Sequence, residues 1–133
     1  MAGAGLLQTG GTAAESIVDP RRTELAGFAD IHLQIRPGED PTLLAGMIRI
    51  VLEEGLQDHE FCDRWVSQLG ELTEAVDGFT LDYVAERCQL DADDIVAATR
   101  LFAAGPRGTA GTGTGPNMAS RSSLTEHLVV VLN

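Results

Sequence analysis

Two short apolar runs, each ending in an acidic turn that contains proline, constrain this chain more than any other feature. The first is Ile17-Val18-Asp19-Pro20-Arg21-Arg22-Thr23, and the second runs from Ile31 through Arg36-Pro37-Gly38-Glu39-Asp40. Proline cannot donate to a ladder, so Glu15 to Asp19 reads as a strand that Pro20 ends. Ile31, Leu33 and Ile35 alternate with His32 and Gln34, the period-two pattern of a half-buried strand. Strands with helices between them predict an α/β fold with few strands and mostly helical content.

The helices follow from caps and apolar spacing. Arg22 to Phe28 suits one short helical stretch. Asp40 suits an N-cap, and Pro41 then takes the first helical position, where its missing N–H costs nothing. Leu43, Leu44, Met47, Ile48, Val51 and Leu52 give that helix a broad apolar face as far as Glu54, and Gly55 supplies the stop. Asp58 caps a second helix, with Phe61 and Trp65 spaced to share one face and read as core. Thr80 opens another, and Asp91 opens a further one that carries Ile95, Ala98 and Phe102 inward.

Pro106 closes this helical region. Gly105 to Pro116 reads as a short strand running into a loop, and Ser123-Leu124-Thr125-Glu126 is a capping-box pattern for a last helix. The chain thus divides into 1–14, poorly ordered or the remnant of a helix; 15–56, an α/β part; 57–104, helical; and 105–133, a Gly-rich loop and an apolar helix that reads as truncated.

Charge narrows the partners. The 133 residues carry 20 acidic and 9 basic side chains, a net charge of −11, and every basic one is Arg. A field of that sign disfavours nucleic acid and anionic membranes, because both demand clustered cations. It still permits an anionic cofactor, which needs only local donors such as Arg21, Arg22 and Arg36. The N-terminus lacks a cationic, apolar leader and no segment is long enough to span a bilayer, so the expected location is cytoplasmic. Two cysteines, Cys62 and Cys88, fit a reduced compartment.

Three segments carry chemistry. In open α/β sheets ligands bind beyond the carboxyl ends of strands, where an acidic group such as Asp19 can accept from ribose hydroxyls. Arg21 and Arg22 could fork onto phosphate, or simply be solvated. Asp40 faces two competing roles: capping a helix, or pairing with N1–H and the exocyclic amine of guanine. Gly38 suits a positive φ and lets a flat base approach the backbone. In Gly111-Thr112-Gly113-Thr114-Gly115-Pro116-Asn117 the glycines leave N–H groups free to form a nest for phosphate or a pterin edge. His59, Cys62 and Cys88 do not make a convincing zinc set. No nucleophile with its base, and no acid–base carboxylate pair, is evident, so no catalytic residue is assigned.

The order and spacing of these pieces resemble the molybdopterin (bis-guanine dinucleotide) oxidoreductases, the family of formate dehydrogenases, nitrate reductases and dimethyl sulfoxide reductases. The likeness covers about residues 15–133. Its pieces are Asp19-Pro20-Arg21-Arg22-Thr23, Ala29-Asp30 before a strand, and Arg36-Pro37-Gly38-Glu39-Asp40. Leu43 to Gly55, Asp58 to Val66, Asp91 to Phe102 and Gly113-Thr114-Gly115-Pro116-Asn117-Met118 complete the series.

That resemblance implies a Rossmann-like fold and a bis-molybdopterin guanine dinucleotide cofactor with molybdenum or tungsten. Asp19, Pro20, Arg21, Gly38 and Asp40 match positions near the guanosine of one pterin dinucleotide. Gly113, Thr114, Gly115 and Asn117 match a segment lying against the cofactor near the metal. The metal then carries the redox step. The implied partners are the rest of a parent enzyme and its electron-transfer proteins. The four-cysteine iron–sulfur motif of many members is absent here, so any cluster belongs to an N-terminal part not in this sequence. A C-terminal β-rich domain is absent too, and the expected state is an internal fragment, inactive alone. The alternative is a free-standing acidic helical module that binds a nucleotide or partner without redox chemistry. The site reading rests on the carboxylates at 19 and 40 facing one crevice.

Overall fold

The computed structural model describes residues 14–105 and 107–133, together with the backbone of 5–9. Four strands form one sheet: β1 (Gly5–Thr9), β2 (Ala14–Val18), β3 (Ile31–Leu33) and β4 (Gly108–Gly111), in the order β3-β2-β1-β4. β2 pairs parallel with β3, whereas β1 is antiparallel to both β2 and β4. Three strands, β2, β3 and β4, therefore share a direction, and their carboxyl ends lie on one edge of the sheet.

Seven helices complete the described chain: α1 (Asp40–Glu53), α2 (His59–Trp65), α3 (Leu69–Val76), α4 (Leu81–Cys88), α5 (Ala92–Ala104), α6 (Thr114–Met118) and α7 (Ser122–Leu132), with a 3-10 turn at Leu25–Gly27. The α/β expectation of few strands and mostly helical content holds.

α5 lies against all four strands, and α1 packs on α3, α4, α5 and α7. Leu43, Met47 and Ile50 of α1 share one apolar cluster with Leu33, Ile35, Val84, Ile95, Ala98 and Phe102. Its Ala45 and Ile48 turn the other way, toward Val76 and Leu128. The broad apolar face is thus a central helix buried on two sides. Gly55, at φ +64, ends it: its N–H donates to Leu52 and that of Leu56 to Val51, the closure a left-handed residue permits. Outside it, Arg100 forks onto both carboxylate oxygens of Glu54 at 2.9 and 2.8 Å.

Several expectations need correction. Gly5–Thr9, assigned to a poorly ordered or helical remnant, is the central strand β1; residues 1–4 and 10–13 of that stretch, and Pro106, lie outside the described residues. Asp40 does not cap α1. Glu39 occupies the cap position, and Asp40 lies inside the first turn. The capping box at Ser123 is not formed either, since α7 begins after Arg121 with no side-chain cap. Phe61 and Trp65 are exposed, while Phe102 is core as expected. The predicted loop from Gly113 to Asn117 is mostly the short helix α6. α3 was not foreseen: it opens on Gln68 at φ +63 and has no side-chain cap to betray it. Asp58, Thr80 and Asp91 do cap α2, α4 and α5, through the N–H groups of Phe61, Tyr83 and Asp93.

Candidate nucleotide-binding edge

Asp19 is the first residue beyond β2, and it is fully buried. Its N–H donates to Leu33 O at 3.1 Å, and its carbonyl accepts from His32 Nε2 at 3.0 Å, so β3 locks it from both ends. Oδ1 accepts from Arg21 N–H at 2.8 Å, the side-chain-closed turn that Asp favours. Oδ2 is buried and has no hydrogen-bond partner among the described residues. A buried carboxylate oxygen in that state is expensive to maintain, and most such atoms in folded proteins are paired.

The second turn is built from its residue types. Glu39 N–H donates to Arg36 O at 3.2 Å across Pro37 and Gly38, and Gly38 has φ +87. Proline second and a left-handed glycine third are what a type II turn requires. Arg36 N–H donates to Cys88 O at 2.9 Å, fastening the turn to α4.

Glu39 is the structural residue that sequence reasoning missed. It is only 8% exposed, yet Oε1 meets Arg87 Nη2 at 2.6 Å and Oε2 accepts from Thr42 Oγ1 at 2.7 Å. Burial works to raise its pKa, but the Thr42 hydroxyl and the charges of Arg87 and Arg36 outweigh it, and the net shift is downward. Only its place beside Asp40 hinted at this. Folding that lowers a carboxyl pKa stabilises above the unfolded value, here about 4.5, and the contribution vanishes as pH falls through the lower folded value. Glu39→Gln should therefore cost about 1.5–3 kcal/mol at pH 7 and much less near pH 3, as denaturant titrations at the two pH values would read. An equal loss at both would remove the ion pair from the account.

Asp40 is half-buried, and burial raises its pKa against the weaker lowering effect of a hydrogen bond from its own backbone. It lines a small cavity of about 40 Å³ with Val18, Leu43, Met47, Gly111, Thr112 and Pro116 among others. A groove of about 580 Å³ lies beyond β3, lined by Pro20, His32, Gln34, Arg36 and Pro37 and by Gln89 to Asp91 and Asp94 of the far wall. Gln34 Nε2 donates to Pro20 O at 3.0 Å along its floor.

The three predicted segments therefore meet around the carboxyl end of β2, though not in one pocket. Pro20 faces the groove, Val18 and Asp40 face the cavity, and Asp19 is buried between its two neighbours. The shared crevice for both carboxylates is not formed. Arg21, Gly38, Thr114 and Asn117 are exposed, and Gly113 and Gly115 are half-buried; of the third segment, Thr112 and Pro116 reach the cavity wall. Cys88 is buried and its thiol is pushed up to about 12, first by burial and then by Glu39 and Asp40, so it packs as an apolar group. Among the described residues no three His, Cys, Asp or Glu side chains converge on a possible metal position, and no helix is long and apolar enough to cross a membrane.

Comparison with known proteins makes the class of this mixed α/β segment specific: its homologues are molybdopterin oxidoreductase subunits. It is 44% identical over 87 residues to acetylene hydratase of Syntrophotalea acetylenica, a match covering 65% of this chain and 12% of that protein. It is 36% identical over 86 residues to the thiosulfate reductase molybdopterin-containing subunit of Salmonella typhimurium, covering 65% of this chain and 11% of that one. The solved acetylene hydratase from Pelobacter acetylenicus superposes with a TM-score of 0.85 at 35% identity, over 88% of this chain and 16% of that chain. The chain thus spans about an eighth of the curated relatives it matches. No family model matches it.

Proposed function

We propose that this chain supplies part of the guanine dinucleotide site of a molybdenum- or tungsten-pterin oxidoreductase. One observation carries the reading. All three candidate segments follow the carboxyl ends of strands that run the same way, and the buried Asp19 among them keeps an oxygen with no partner among the described residues. The donor set fits a nucleoside. Asp19 Oδ2 accepts from ribose, Arg21 stands exposed for phosphate, and Asp40 is a desolvated acceptor for the guanine edge. The groove of about 580 Å³ is of ligand size, since binding sites run to roughly 300–1,000 Å³, and it is lined by Pro20 of the first turn and Arg36 and Pro37 of the second, but not by Asp19 or Asp40.

The cavity beside Asp40, at about 40 Å³, has room for about one water. The base therefore reaches Asp40 by displacing the Thr112–Pro116 wall, which Gly111, Gly113 and Gly115 make easy to deform. When bound, the metal supplies the redox step. This chain's residues orient one guanosine and shield it from water, in cooperation with other parts of a parent enzyme. An iron–sulfur cluster and electron-transfer proteins would act through those parts, in the cytoplasm.

Calorimetric titration with GDP and ADP tests the assignment. Half a site should hold GDP weakly, with a Kd of roughly 1 mM. GDP should be preferred over ADP by about tenfold, the size of one bidentate base contact, and Asp40→Asn should erase that preference. Equal affinity for both nucleotides would remove guanine from the proposal, and nanomolar binding would favour the free-standing module instead.

A further inference from the structure

The charge of this chain is not spread over its surface. Between Glu53 and Asp94 stand 13 acidic residues and two arginines, so this one stretch accounts for the whole net charge of −11. Arg49 and Arg100 answer Glu53, Asp77 and Glu54 at its border. Farther along, Glu60, Asp63, Glu71 and Glu74 are exposed with no ion pair among the described residues. In the middle of this field, α2 presents Phe61 at 55% exposure and Trp65 at 70%, four residues apart on one face, and Leu56 and Val66 on the flanking chain are exposed as well. No residue of α2 is buried. One side of the indole already receives a guanidinium, with Arg64 lying 5.7 Å from its centroid.

We propose that the α2 face docks a separate protein surface that presents clustered Lys and Arg around an apolar socket for Trp65 and Phe61. Large aromatic anchors ringed by charge are the usual centre of a specific interface, and the sign of the ring selects the partner. A second copy of this chain would bring an equally negative field against the first. Nucleic acid and anionic membrane are repelled for the same reason. A basic protein surface gains on both counts, because its cations meet the carboxylates of α2 and α3 while its socket removes two aromatic rings from water. This face is formed by helices that take no part in the nucleotide edge, so the inference stands apart from the cofactor reading.

Trp65 is the chain's single tryptophan, so its emission reports this face without a label. The full 133-residue chain is titrated with a synthetic amphipathic Lys/Leu helix. A saturable blue shift is expected, and raising NaCl from about 50 to about 500 mM should weaken it by roughly tenfold or more. A Lys/Ser peptide of equal charge should bind about tenfold more weakly, and a Glu/Leu helix should leave the emission unchanged. Phe61→Ser should weaken the Lys/Leu peptide by a similar factor with an unaltered circular dichroism spectrum, and Glu24→Gln, outside the acidic stretch, should not. The proposal is overturned by an unmoved Trp65 emission, by equal binding of the Lys/Ser or Glu/Leu peptide, or by an inert Phe61→Ser. A blue shift that appears with protein concentration alone would overturn it in favour of self-association.

Discussion

Gly46→Ala should destabilise the chain by about 2 kcal/mol and lower its thermal midpoint by roughly 5–10 °C. Gly46 lies in the interior of α1, where alanine ordinarily gains about 1 kcal/mol in helix propensity. Here the sign reverses. A Cβ at this position would meet Val84 Cγ2 at 2.7 Å and Cγ1 at 3.0 Å, and Val84 is a fully buried side chain whose β-branching restricts χ1. The glycine exists so that α1 and α4 can touch. Pairing Gly46→Ala with Val84→Ala should recover part of the loss, with a coupling of about 1 kcal/mol in a double-mutant cycle followed by urea unfolding. Strict additivity would mean that the two helices are not held at this distance by that contact.

Asp19→Ala should do the reverse: little to stability, much to binding. Removing the side chain loses the Oδ1 bond to Arg21 N–H, but it also removes a buried oxygen that no group among the described residues satisfies. The two effects oppose, so the net change in unfolding free energy should stay within about 1 kcal/mol. GDP affinity should fall by at least about tenfold. A position kept for the fold would show the opposite pair of results. Sites that retain an unpaired polar group tend to be those where a ligand completes the pairing.

Much of this was legible in the residues because the signals were local. Pro20 after an apolar run, Pro37-Gly38 between Arg36 and Glu39, and the caps at Asp58, Thr80 and Asp91 each have a mechanism that acts within four residues. Failures came where long-range packing decided. β1 is a strand because β2 and β4 flank it, not because Gly5–Thr9 prefers to be one. α6 forms from Thr-Gly-Pro-Asn-Met, a poor helix sequence, and α7 packs against it. Asp40 was read as a cap because its type favours caps, yet Glu39 takes that position and binds Arg87, a partner 48 residues away. Phe61 and Trp65 have core spacing, but spacing cannot say whether anything lies opposite. For the candidate site, the three segments chosen from sequence come together at the carboxyl end of β2, but their arrangement was not legible, because the separation of Asp19 from the Asp40 cavity depends on how β2, β3 and α1 stack.

The central claim is that one edge of the sheet, at the carboxyl ends of β2, β3 and β4, receives a guanine nucleotide. Amide chemical shifts of the ¹⁵N-labelled chain, recorded while GDP is added, test it most directly. The account predicts saturable shifts at Asp19, Arg21, Gly38 and Asp40 and at Thr112 to Gly115, with smaller shifts for ADP and none on α2 or α3. Shifts concentrated on the helical face, or an unchanged spectrum at Asp19 and Asp40 when GDP is saturating elsewhere, would contradict it.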